Sequence, residues 1–499
     1  MLDTLSKSFA LIADPYTLGV MVLAAMFGLF VGAIPGLTAT MATALLIPFT
    51  FFMDPVPAIA AIVATVAMAI FAGDIPGALL RIPGTPASAA YCDETYAMTG
   101  RGMAERALGI ALVTSVIGGL AGALVLTLSA PTLAEFAIQF SSYEYFWLAC
   151  LGLSCAVIIS TASTLKGFVS LFIGLFIATI GIDGTAGHPR FTFGSVELLA
   201  GVSFIPAMIG MFAISEVLRY VASNREVVRV PQQVGGGVFV GLGATLSRYR
   251  WNVLRGSSIG AVVGVLPGAG ADIAAWIAYA ISKKRSREPE RFGTGHPEGL
   301  VDAGSANNAS LAGAWVPAIV FGIPGDSITA IVIGVLYMKG LNPGPMVFVM
   351  RPELIYAVFI AFFVANLALL PLGFAAIKAS RQILRIPRRV LMPIILVFCM
   401  VGAFAINNTV FGVTVMLVLG ILAYLMEENG FPVAPAILGI VLGNMVEDNF
   451  MASMIKADGD LAGFFSRPIA ATLGVATIML WLLPLGLAIV RRMRAVERS

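Results

Sequence analysis

Charge is what this sequence has least of. Only 11% of its 499 residues are Asp, Glu, Lys or Arg, against about 25% in a soluble domain, which excludes an ordinary water-exposed surface. The net charge of +3 is too small to draw nucleic acid. His188 and His296 are the only histidines, which argues against a histidine metal centre or proton relay. Cys92, Cys150, Cys155 and Cys399 show no paired metal spacing, and three of them lie in apolar runs as small hydrophobes. The N-terminus, MLDTLSKSFALIADPYTLGV, carries an early Asp, one Lys and no small-residue cleavage site, so it does not read as a removed signal peptide.

What is there is hydrophobic. Apolar residues make up 59% of the chain, and the runs 107–130, 354–377 and 468–490 exceed the length of about 18 residues that marks a spanning helix. They are continuously apolar and do not alternate, so the expected fold is an all-α polytopic protein of the lipid bilayer rather than a barrel. Lys and Arg gather at 219–255, 283–291, 378–389 and 491–498, all cytoplasmic by the positive-inside rule. Two loops on one side require an even number of crossings between them. Spans at 390–406, 408–426, 431–450 and 468–490 satisfy this for the last two clusters. Between Arg255 and Lys283 there is a single apolar stretch. It is expected to enter from the cytoplasm and turn back at Leu266-Pro267-Gly268, with arms of about a dozen residues, roughly 18 Å each.

The chain repeats itself. GLFVGAIPGLTATMATALL at 28–46 resembles GAVVGVLPGAGADIAAWIA at 260–278, with Pro267 against Pro35 at 267 − 35 = 232. AGDIPGALLRIPGTPASAA at 72–90 resembles AGAWVPAIVFGIPGDSITA at 312–330, with Pro324 against Pro83 at 324 − 83 = 241. Two Pro-Gly elements recur in the same order, as in a tandem duplication. The expected organisation is a membrane repeat at 1–223, a basic cytoplasmic linker at 224–256, a second and inverted membrane repeat at 257–490, and a basic tail at 491–499.

Each Pro-Gly break precedes a side chain suited to capping a helix: Thr38, Thr85 with Pro86 behind it, Asp272, and Asp326 with Ser327. Each break therefore reads as a helix end, a turn and a new start, either a broken helix or a re-entrant hairpin. At membrane depth this is tolerated only inside protein or beside a watery cavity. New helix starts favour a carboxylate, the preceding carbonyls favour a cation such as Na⁺, and paired breaks in two repeats point to a transporter's midplane site. Asp74, Arg81, Asp272 and Asp326 lie within or beside the breaks, where a charge costs on the order of 3 kcal/mol and marks function. Arg81 is a candidate for a substrate carboxylate or for pairing with Asp74. The three aspartates are coupling-ion candidates, with Asp272 and Asp326 equally readable as caps. Asn307 and Asn308, in the polar stretch 292–310, are candidates for orienting a polar substrate.

At these residues the sequence resembles the large membrane subunit of the tripartite tricarboxylate transporters. The likeness rests on the Pro-Gly elements, on EGLVDAGSANNASLAGAWVPAIVFGIPGDSITAIVIG, on GLNPGPMVF and on GFPVAPAILGIVLGNMVEDN, and it covers nearly the whole chain. The resemblance implies an ion-driven importer of organic carboxylates in the bacterial inner membrane. It also implies two partners, a small membrane subunit and a periplasmic substrate-binding protein, with no cofactor beyond a coupling ion such as Na⁺. Carried onto this chain, the family's site falls on Pro35, Gly36, Thr38 and Thr40, on Gly84, Thr85 and Ser88, and on Gly268. From the polar stretch and the last break it takes Ser305, Asn307 and Asn308, then Gly325, Ser327 and Thr329. The chain departs from the family pattern at Asp74, Arg81 and Gly304, which implies a different carboxylate. Two other classes remain: an intramembrane aspartyl hydrolase using Asp272 and Asp326, and a passive channel. The duplicated breaks, idle in catalysis, favour transport.

Overall fold

The computed structural model describes residues 2–159, 163–184, 187–222, 237–266, 270–384 and 388–496. Seven helices among them are long and apolar enough to cross a membrane, and the chain is an all-helical polytopic membrane protein. One exception is a two-residue hairpin in which Gly181–Ile182 pairs antiparallel with Pro189–Arg190. The four spans expected after Arg389 are all helical, as Arg388–Asn407, Val410–Glu428, Val433–Lys456 and Pro468–Val496, and the first two are among the seven.

Two helices form the buried axis. Pro55–Leu80 is wholly buried over its apolar window, and Pro297–Phe321 is buried from Gly299 to Val320. Each is flanked by a helix that reaches it through glycine. A Cβ on Gly28 would lie 2.2 Å from the Thr65 carbonyl oxygen, and one on Gly32 would lie 2.5 Å from that of Ala69. Gly260 and Gly264 meet the carbonyls of Ala306 and Ser310 in the same way, at 2.3 and 2.4 Å. Only glycine allows such backbone contact, which in lipid supplies the packing that hydrophobicity cannot. The equivalent contacts are related by the same offsets of 260 − 28 = 232 and 306 − 65 = 241 as the sequence elements.

Direction follows from the order of contacts. Gly118 packs on Ser305 and Gly122 on Ala309, so the Ala104–Ala137 helix runs alongside Pro297–Phe321. The Pro55–Ala72 helix instead ends near the start of Ala104–Ala137, where Phe71 and Leu112 both face Gly373. The two axial helices therefore run in opposite directions.

Both end in the same way. Arg81 (φ 57) and Gly322 (φ 70) adopt the left-handed conformation that closes a helix. Just beyond, the Ile82 N–H donates to the Pro76 carbonyl at 3.3 Å and the Ile323 N–H to that of Pro317 at 3.2 Å. The expected cytoplasmic hairpin comprises Arg250–Val265 and Gly270–Arg285, 16 residues each or about 24 Å, a turn longer than expected. The arms pack on each other and on the 297–321 helix. The turn expected at Leu266-Pro267-Gly268 falls on residues 267–269, which lie outside the described residues. Of the basic stretch at 224–256, residues 237–256 are described and hold the helix Leu242–Arg248 and the start of Arg250–Val265.

Candidate functional site

The broken segments meet at one cavity of about 560 Å³. Three helix starts line it: Thr38–Met41 of the Ala39–Phe51 helix, Gly270 of Gly270–Arg285, and Asp326–Ile328 of Ser327–Met338. Thr85–Ala87, Asn307 and Trp276 also line it, together with residues of the 210–219 and 427–438 stretches. The local chemistry explains each start. Thr38 Oγ1 accepts the Met41 N–H at 3.2 Å. Asp326 Oδ1 accepts the Thr329 N–H at 2.7 Å while Thr329 Oγ1 accepts the Asp326 N–H at 2.8 Å, a reciprocal capping box. Thr85 and Ser88 exchange the same pair of bonds, both at 3.1 Å. Gly270 (φ 50) is required on two counts, since a Cβ there would stand 2.6 Å from that of Asp326.

The cap reading of Asp326 is therefore met: one carboxylate oxygen is held by its own helix. Gly36, Thr38, Thr40, Thr85, Asn307, Asp326 and Ser327 all line the cavity. Behind them stand residues that shape it. A Cβ on Gly84 would lie 2.6 Å from the Gly73 Cα, and one on Gly325 would lie 2.8 Å from the Ala314 Cβ. These contacts hold the two breaks against their own helices. Pro35 and Thr329 belong to the turn and cap, and the Ser305 hydroxyl donates to the carbonyls of Val301 and Asp302. Asn308 is 1% exposed, with neither amide atom hydrogen-bonded among the described residues. Gly268 and the Asp272 side chain lie outside the described residues.

Arg81 and Asp74 are not brought together. Arg81 Nη2 pairs with Asp93 at 2.9 Å on an exposed face, away from the cavity-lining residues. The left-handed turn at Arg81 sends its side chain outward, beside the Tyr96 ring. Asp74 is buried and accepts the Tyr91 hydroxyl at 2.7 Å, and the Tyr91 oxygen accepts Asn307 Nδ2 at 3.0 Å.

Several residues here were not singled out by the sequence. Arg219 bridges Glu216 at 2.8 Å and Glu427, all three lining the cavity, and joins segments far apart in the chain. Glu94, fully buried, accepts the backbone N–H groups of Gly293, Gly295 and His296. The signal was the GTG of FGTGHPEG: Gly293 (φ 88) and Gly295 (φ 90) curl successive N–H groups into a nest for an anion. A second cavity of about 590 Å³ lies between 178–204 and the 433–456 helix, where Arg190 holds Glu447 bidentately at 2.5 and 3.0 Å.

Comparison with known proteins follows the same lines. Residues 18–438 match the family described as the tripartite tricarboxylate transporter TctA family. An uncharacterised 52.8 kDa protein from the TAR-I ttuC' 3' region of Agrobacterium vitis is 33% identical over 490 residues, covering 97% of both chains. A second uncharacterised protein, from the TAR-II ttuC' 3' region of the same organism, is 36% identical over 228 residues, 45% of this chain and 94% of that one. No solved structure matches.

Proposed function

Since the chain belongs to the TctA family of tripartite tricarboxylate transporters, we propose that it is the large membrane subunit of a binding-protein-dependent importer of organic carboxylates, driven by an ion gradient across the bacterial inner membrane. It works with a small membrane subunit and a periplasmic binding protein that delivers the substrate. One observation carries this reading: helix starts from both halves of the chain converge on a single cavity. The positive ends of three helices favour a carboxylate there, and Asn307 and Ser327 supply orienting polar groups. Thr38, Thr40 and Thr85 add hydroxyls, while Gly84, Gly325 and Ser88 keep the breaks in place.

The glycine-packed helix pairs, running in opposite directions, support inverted repeats at 1–223 and 257–490. Such an arrangement allows alternating access by rocking one part against another. The basic clusters, including the linker at 224–256 and the tail at 491–499, belong inside by the positive-inside rule, and Arg219, from the first of them, lines the cavity. A hydrolase reading gains nothing from Asp326, whose carboxylate is engaged as a cap.

The test is uptake of labelled citrate and succinate into proteoliposomes holding the subunits, with and without the binding protein, under imposed Na⁺ or proton gradients. Accumulation that needs both the gradient and the binding protein is expected, and unaided uptake at full rate would reject the proposal. Asn308→Ala is expected to lower uptake at least tenfold while the protein still elutes as a folded species.

A further inference from the structure

Asp74 is a carboxylate that neither packing nor ion pairing explains. It opens the Asp74–Leu80 helix and is 1% exposed. Its Oδ1 accepts the Tyr91 O–H at 2.7 Å, and its Oδ2 has no hydrogen-bond partner among the described residues. The titratable groups facing it are the Tyr91 phenol and the Cys92 thiol, whose Sγ contacts the Gly77 carbonyl. Charged groups of the neighbouring elements are engaged elsewhere. Arg81 pairs with Asp93, Glu94 with the 293–296 backbone, Glu105 with Lys378, Arg106 with Thr245, Asp302 with Arg255, and Glu298 with Asn252 and Ser286. A buried carboxylate with one hydrogen bond and no countercharge among the described residues is far costlier charged than neutral. Among the described residues no second carboxylate joins it to build the oxygen shell that a hard cation takes.

The Tyr91 oxygen in turn accepts Asn307 Nδ2 at 3.0 Å, and Asn307 lines the cavity. Resting on the transport reading above, we propose that Asp74 is the proton site of this transporter, and that its protonation sets which face of the Asn307 amide meets the substrate. With Asp74 charged, donation runs from Asn307 to Tyr91 to Asp74. The unpartnered amide atom is then Asn307 Oδ1, an acceptor that repels a carboxylate. With one proton added to Asp74, its O–H donates to the Tyr91 oxygen and the chain reverses. The Tyr91 O–H turns to Asn307, whose amide rotates half a turn to accept it through Oδ1, and both N–H groups of Nδ2 become free for the substrate. Only the Asp74 O–H bond is made, and Tyr91 keeps its own proton throughout. Proton and carboxylate then favour each other's binding by the same factor, as linkage requires.

The experiment uses the full chain with its partner subunits in proteoliposomes, and the labelled carboxylate (citrate or succinate) that the wild type accumulates. Quenching of the fluorescence of the cavity residue Trp276 gives affinity as a function of pH. Wild-type affinity is expected to fall at least tenfold as pH rises, beyond any change due to the substrate's own titration. Asp74→Asn is expected to hold the low-pH affinity at every pH and to lose accumulation driven by an inside-alkaline gradient. Tyr91→Phe, which keeps the carboxylate but cuts the chain, is expected to flatten the same pH profile and serves if Asp74→Asn does not fold. An Asp74→Asn or Tyr91→Phe protein that still follows the wild-type pH profile overturns the inference. So does wild-type uptake driven by Na⁺ and indifferent to the proton gradient, an outcome that leaves the transport reading standing. A wild type that moves no carboxylate under any gradient rejects the transport reading itself, and this inference with it.

Discussion

His296 donates its backbone N–H to the Glu94 carboxylate at 2.7 Å, across 202 residues of sequence. Glu94 follows the Arg81 break and His296 caps the axial helix Pro297–Phe321, so this bond ties the end of one buried axis to the beginning of the other. Tyr279 Oη, from the hairpin, donates to the same carboxylate at 2.8 Å.

Removing that carboxylate strands three backbone N–H groups. Glu94→Ala is expected to cost about 3 kcal/mol or more, the penalty for leaving buried donors unpaired. Thermal unfolding in detergent measures it, and trypsin should cut faster at Arg287 and Arg291. An unchanged cleavage rate would show that the nest does not anchor this loop.

Asp302 is fully buried and holds Arg255 Nε at 2.9 Å and Asn252 Nδ2 at 2.7 Å. Breaking a buried pair from one side costs about 3–5 kcal/mol, because the other charge is left behind. Arg255→Ala, which strands the buried carboxylate, should therefore destabilise much more than Arg255→Ala with Asp302→Ala together. Equal losses in the single and double variants would mean that the pair is not coupled.

Gly84 and Gly19 offer a matched contrast. A Cβ at Gly84 would meet Gly73 at 2.6 Å, whereas one at Gly19, in the Pro15–Gly32 helix, meets nothing within 4 Å. Gly84→Ala is expected to lose about 1–3 kcal/mol through overpacking, and with it uptake. Gly19→Ala should gain up to about 1 kcal/mol from helix propensity. The two melting temperatures decide the matter, and a stable, active Gly84→Ala protein would refute the tight-break geometry.

Arg81 occupies a left-handed turn whose counterpart is Gly322. Its exposed ion pair with Asp93 is worth at most about 1 kcal/mol, while glycine relieves about 1–2 kcal/mol of backbone strain. Arg81→Gly is thus expected to be neutral to slightly stabilising, with carboxylate affinity within about twofold of wild type. A tenfold loss of affinity would return Arg81 to the substrate site in a conformation other than this one.

How far the chain could be read in advance depended on how local each cause was. The capping roles of Thr38, Thr85 and Asp326 were legible because a cap is decided within four residues. The four late helices were legible because long apolar runs between basic flanks favour helix. The Arg81–Asp74 pairing failed because seven residues along a helix suggests one face, yet Pro76 and the left-handed turn at Arg81 rotate the side chain outward. The roles of Tyr91 and Glu94 were not legible because their partners, Asn307 and the 293–296 backbone, lie about 200 residues away.

The sequence by itself determined a helical membrane protein with recurring Pro-Gly breaks, since hydrophobic length, basic loops and prolines act along the chain. Only the tertiary structure decided that helix starts from both halves share one cavity, and that Asp74 reaches it through Tyr91 and Asn307. Both depend on backbones brought into contact at glycines such as Gly32 and Gly264, and close approach between distant helices is a property of their surfaces together, which no single stretch of chain contains.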